Sequence, residues 1–81
     1  MAMKNIGLEM KKKLLAVGVD SAEELMKIGS KEAFLRLKAL YPEICLVHLY
    51  TLQGAIDGCN FNMLSSAMKA KLKSFNDALN S

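Results

Sequence analysis

The chain has 81 residues, of which 52% are hydrophobic and 23% charged, with a net charge of +3 and two cysteines. That length holds one domain with a limited core, which leaves little apolar surface for a deep substrate cleft, and no polar tract suggests disorder. Cys45 and Cys59 are too few for a secreted disulfide scaffold and Lys4 is followed by no apolar signal core, so a reducing cytoplasm is the expected compartment. His48, Thr51, Gln53 and Gly54 interrupt the longest apolar region, which falls short of the roughly 20 residues needed to span a bilayer, so no membrane partner is expected.

The first helix is expected over residues 8 to 17. Met10, Leu14 and Val17 fall at i, i+4 and i+7, with Leu8 and Leu15 on the flank, and Gly18 supplies the stop. Ser21-Ala22-Glu23-Glu24 then reads as a capping box, in which hydroxyl and carboxylate satisfy the first free amides of a short second helix with Ala22, Leu25 and Met26 inward. Gly29 ends that helix and Ser30 is positioned to cap a third, so the two should turn sharply across almost no linker.

The third helix places Phe34, Leu37 and Tyr41 on one face, and Pro42 closes it. The fourth, over 43 to 57, carries apolar residues around most of its circumference, the pattern of a central helix packed on several sides. Gly58 ends it, and Asn60-Phe61-Asn62 reads as a turn that tucks Phe61 back toward the core. Leu64, Met68, Leu72, Phe75 and Leu79 define a last helix over 65 to 79. No segment alternates as a half-buried strand does, so the expected fold is all-α, one compact domain over residues 1–81 built of five short helices.

Few residues offer chemistry. His48 follows Cys45 by three positions, but no fourth ligand completes a zinc site with Cys59, and the expected state is two buried cysteines and a satisfied ring. A Cys45 nucleophile would need an exposed electropositive setting, whereas it lies in the most hydrophobic run of the chain. Neither a paired-carboxylate site nor a phosphate-binding glycine loop can be assembled, so no enzyme activity, metal or cofactor is expected.

The basic residues are more suggestive. Lys11, Lys12 and Lys13 fan around the first helix, with Lys12 and Lys13 expected to face water and Lys11 to border the apolar seam. Ile6-Gly7 precedes them, and a glycine turn feeding helix amides into a lysine-bearing helix is a way to hold a phosphate. On the last helix Lys69 and Lys73 stand four apart, a like-charge pair that costs a few tenths of a kcal/mol unless an anionic partner compensates it. Lys71 lies on a neighbouring angle.

Asn5-Ile6-Gly7, Leu14, Gly18-Val19, Ser21-x-Glu23-Glu24-Leu25 and Gly29-Ser30, continued through "EAFLRLKALYP", "LVHLYTLQGAIDG" and "LKSF", resemble the C-terminal domain of the TfoX (Sxy) family of bacterial competence regulators. The resemblance covers about residues 4 to 79. It implies a helical domain related to the SAM-like and helix-hairpin-helix folds, and a role in switching on genes for DNA uptake, where family members are thought to act beside the cyclic-AMP receptor protein. It also implies a fragment or stand-alone relative, because members usually carry an α/β domain ahead of this one.

The chain departs from the family pattern in three places. Leu8 stands where proline commonly follows the hairpin glycine, Met63-Leu64-Ser65 replaces an acidic-Leu-Pro sequence, and Phe61 stands where tryptophan is frequent. Two functions follow as expectations. One is a regulatory domain touching the DNA phosphate backbone through Ile6, Gly7, Lys11, Lys12 and Lys13, alongside a transcription regulator or RNA polymerase component. The other is a protein-docking module that never meets DNA, with Lys69 and Lys73 toward the partner. Oligomeric state is left open by the sequence.

Overall fold

The computed structural model describes residues 6–80; Lys4 and Asn5, which entered the sequence reading, lie outside the described residues. Four α-helices follow one another: α1 (Leu8–Ala16), α2 (Ala22–Leu40), α3 (Leu46–Asp57) and α4 (Ser66–Asn80), with a 3-10 turn at Phe61–Met63 before the last. The described residues contain no strand.

The helix count corrects the expected five. The second and third expected helices are one element, α2, because the backbone leaves helical geometry at Gly29 alone (φ 86°, ψ 161°) and resumes it at the next residue. The sharp turn is real, but it is a kink within a helix. Ser30 does not cap a new helix either: it is buried, and its hydroxyl donates to Gln53 Oε1 of α3 at 2.6 Å.

The other boundaries follow from local chemistry. After α1 the Val19 N–H donates to Leu14 O (2.9 Å) and the Gly18 N–H to Leu15 O (3.2 Å), with Gly18 at φ 87°. These two bonds close a Schellman motif, and its accompanying apolar contact joins the fully buried Leu14 and Val19. The same pair of bonds closes α3, from Cys59 N–H to Gly54 O and from Gly58 N–H to Ala55 O, with Gly58 left-handed. Ser21 Oγ accepts from the Glu24 N–H (3.1 Å) at the start of α2, and Ser65 Oγ accepts from the Met68 N–H (3.1 Å) at the start of α4. In the turn between, Asn60 Oδ1 accepts from the Asn62 N–H.

One apolar cluster holds the helices together. Leu14, Leu25, Phe34, Leu37, Ile44, Leu49, Leu52 and Leu72 are essentially inaccessible to water. Each contributes on the order of 1.5–3 kcal/mol of transfer free energy. Helix α3 packs against α2, the 3-10 turn and α4, which is the central position its apolar circumference predicts. Arg36 of α2 donates to Val17 O at the end of α1 (3.4 Å) while pairing with Glu32 (3.0 Å), and Lys38 donates to Ile44 O (3.0 Å) in the connection to α3.

Several expected orientations are corrected. Met26 points outward, 58% exposed, because Leu25 takes the inward position of that turn. Leu79 is exposed near the end of α4, and Phe61 is only half-buried while Leu64 goes inward. Asn76, by contrast, is 9% exposed on α4 and its Oδ1 has no hydrogen-bond partner. An unsatisfied buried carbonyl costs about 1–3 kcal/mol, so Asn76→Leu, close in shape, is expected to raise stability by about 1–2 kcal/mol in urea unfolding. Unchanged or lowered stability would show that this carbonyl has a partner in solution.

Candidate functional site

At the start of α1, Gly7 is an extended N-cap with no side chain to offer the first amides, and Lys11 N–H is bonded to Gly7 O. Glu9 places a carboxylate in the same first turn. Lys12 is exposed and Lys11 half-buried, and neither has a carboxylate partner among the described residues.

Lys13 does not face water as expected. Its side chain is 24% exposed, with Nζ 5.2 Å from the Tyr41 ring centroid and 3.9 Å from Glu43 Oε1. The helix wheel explains this. Lys13 lies three residues after Met10 and four before Val17 and so borders the Met10-Leu14-Val17 seam on one flank, as Lys11, three residues before Leu14, does on the other. Of the five residues expected at a phosphate, Ile6 packs against the core, Lys13 is held by Tyr41 and Glu43 just after α2, and Gly7, Lys11 and Lys12 remain for an anion.

On α4, Lys73 pairs with Asp77 at 3.1 Å, which relieves the like-charge pair with Lys69. Lys69 is half-buried, and its carbonyl accepts from the Tyr50 hydroxyl of α3 at 3.5 Å. It is Lys71 that faces a groove. The kink at Gly29 opens a cleft of about 370 Å³ between α2, α3 and α4, at the small end of ligand clefts (roughly 300–1,000 Å³). Ile28, Met68 and Leu72 supply its apolar lining, and Lys31 and Lys71 its charge. The Ser30–Gln53 hydrogen bond closes one part, with Gln53 itself fixed by donating Nε2–H to Asp57 Oδ1 at 3.1 Å.

A second, shallower depression runs along α4 past Ala70, Ser74 and Phe75, and Lys31 and Lys71 border both hollows. Lys31 is held by the Phe75 ring, its Nζ 5.3 Å from the centroid. No residue lining either hollow is acidic. The sequence reading missed this groove. Its one linear signal was Gln53, a polar residue between the buried Leu52 and Gly54.

Cys45 is also corrected. It is exposed, because α3 begins at Leu46 and Cys45 is its extended N-cap. His48 at the third helical position accepts the Cys45 N–H on Nδ1 (3.1 Å), with Cys45 Sγ 3.5 Å from the same nitrogen. The imidazole thus takes the place that glutamate holds in a capping box. Among the described residues no three of His, Cys, Asp and Glu gather as a metal site would require, and no helix is long and apolar enough to cross a membrane.

Taken together these features define a small all-helical domain with a kinked second helix and a basic groove beside the kink. The chain belongs to the TfoX C-terminal domain family, whose model matches residues 1–75. Among solved structures it is similar to an uncharacterised protein from Listeria monocytogenes in a triclinic form, with 37% identity, a TM-score of 0.96, and coverage of 98% of this chain and 90% of that one. It is also similar to a protein of unknown function from Listeria monocytogenes in a tetragonal form, with 39% identity, a TM-score of 0.90, and coverage of 93% and 92%. No protein of curated function matches the chain.

Proposed function

We propose that this chain is a non-enzymatic regulatory domain of the kind its family suggests, contributing to the control of DNA-uptake genes in the cytoplasm by contact with an anionic macromolecule. The observation that carries this reading is the imbalance of ion pairing. Among the described residues Lys11, Lys12, Lys27, Lys31, Lys38, Lys69 and Lys71 have no carboxylate within 4 Å, against the five acids Glu9, Asp20, Glu23, Glu24 and Asp57 that have no cation, while Lys13, Arg36 and Lys73 take Glu43, Glu32 and Asp77. Cations left unpaired on a folded surface favour approach of a polyanion.

For DNA the contact is the Gly7 turn with Lys11 and Lys12. It would be weak, indifferent to sequence and steeply salt-dependent, since phosphate contacts carry no base information. Anisotropy titration of a random duplex at several salt concentrations tests it. Lys11→Gln/Lys12→Gln should abolish the binding and leave the melting temperature unchanged. Lys13→Gln should lower stability by a few tenths of a kcal/mol to about 1 kcal/mol, through the lost Tyr41 stacking. Affinity that does not fall with salt, or that survives the double variant, would sink the phosphate contact at α1.

The second reading is protein docking, and the groove between α2 and α4 favours it. A cleft with an apolar lining and cationic edges suits a side chain better than a phosphodiester.

A further inference from the structure

The geometry points to the groove beside the Gly29 kink as the docking site for a peptide segment of a partner protein that carries an apolar anchor next to carboxylates. This inference rests on the protein-docking reading above. Its starting point is the combination of surfaces. Ile28, Met68 and Leu72 line the deeper hollow, and methionine adapts its shape to an incoming side chain better than a branched residue does. Lys31 and Lys71 stand where the deeper and shallower hollows meet.

Charge complementarity selects the occupant. Neither lysine has a carboxylate partner among the described residues, and Glu32, the acid next in sequence to Lys31, is engaged by Arg36 at 3.0 Å. The groove therefore presents two uncompensated cations beside an apolar lining and no anion of its own. A leucine, methionine or phenylalanine from the partner would fill the deeper hollow, with carboxylates one or two residues away reaching the lysines. Two joined hollows along one side of α4, from Met68 to Phe75, suit an extended or helical segment better than a small molecule.

The site is also prepared for binding. Stacking of Lys31 on Phe75 and the Ser30–Gln53–Asp57 hydrogen bonds fix groups that would otherwise lose freedom on association.

The test uses the full chain, isotopically labelled for amide NMR, and a synthetic peptide with two leucines flanked by glutamates. Its Glu→Gln counterpart and a random DNA duplex are titrated separately. Saturable shifts at Ile28–Lys31 and Met68–Phe75 are expected with the glutamate peptide. Binding should weaken about tenfold for the glutamine peptide, and about tenfold in Lys31→Gln/Lys71→Gln, as expected for two edge charges.

Equal affinity for both peptides, or shifts confined to other faces, would overturn the assignment of this groove. Shifts that track protein concentration alone would replace the peptide with a second copy of the chain. Groove shifts with duplex DNA and none with peptide would make it a nucleic-acid face. A peptide that binds another face leaves docking intact while the groove assignment falls. If no face takes the peptide, the docking reading falls with it.

Discussion

Phe34→Ala is expected to lower the unfolding free energy by about 3–5 kcal/mol, the range for deleting a buried aromatic ring. Phe34 is fully buried on α2, and its ring meets Phe75 of α4 edge to face, with centroids 6.5 Å apart and planes at 61°. Small domains hold little in reserve against a total of roughly 5–15 kcal/mol, so much of the variant should be unfolded near body temperature. The melting temperature should fall by at least about 12 °C, taking about 4 °C or more per kcal/mol for a domain this size. Phe34→Leu, which keeps most of the volume, should cost about 1 kcal/mol and thereby separate cavity formation from loss of the aromatic contact. A loss below about 1 kcal/mol for Phe34→Ala would mean that the α2–α4 contact is not part of the folded core.

The consequence reaches the surface through one chain of contacts. Phe34 supports Phe75, and Phe75 supports the ammonium of Lys31, which stands one helical turn before Phe34. A milder variant such as Phe34→Leu therefore tests whether core packing positions the groove. Shifts at Lys31 without loss of folding are the expected signature.

Much of the fold could be read from the residues because its punctuation is local. Gly18, Ser21 and Gly58 each act within four residues of themselves, by a left-handed turn or a hydroxyl accepting an amide, and each lies where the sequence reading places it; Ser65, expected as the first residue of the last helix, instead caps α4 from one position before it. The start of α3 was harder. Ile44 is buried in the connection before α3, so an apolar count includes it in the helix although its N–H bond to the Tyr41 carbonyl closes the turn through Pro42 and Glu43. That shift of the boundary is what carried Cys45 from an expected interior to an exposed cap.

The groove was illegible for a different reason. Lys31 and Lys71 come together only through the angle between helices, and helix periodicity reports a residue's face on its own helix but nothing about what another helix brings opposite it. Gly29 hid in a similar way. The residue pattern requires a break there, but one glycine between helix formers does not say whether the helix ends or bends.

Gly29→Ala is expected to destabilise the protein by about 1–3 kcal/mol, although the new methyl group would meet nothing. Apart from its chain neighbours and the adjoining backbone of α2, no atom lies within 4 Å of a Cβ built at this position, so the penalty is conformational. At φ 86° and ψ 161° the residue occupies a region that is open to glycine and strongly disfavoured for other L-residues. The variant can keep the kink and bear that strain. Or it can straighten α2 and lose the Ser30–Gln53 hydrogen bond together with the groove, so in either case urea unfolding should register the cost.

D-alanine, introduced by chemical ligation, separates these causes. Its allowed conformations are the mirror image of those of L-alanine, so it fits the native angles, and by restricting the unfolded chain it should match or exceed wild-type stability by about 0.4–1 kcal/mol. Gly58 gives a second comparison, since its φ of 70° and ψ of 27° lie in the left-handed helical region that asparagine visits readily. Asparagine at 58 should therefore cost little, whereas asparagine at 29 should cost nearly as much as alanine. Equal tolerance at the two sites, or a D-alanine variant as unstable as the L-form, would show that the kink is not held by the backbone of Gly29. The shape of the groove would then have to be attributed to packing between α2 and α4.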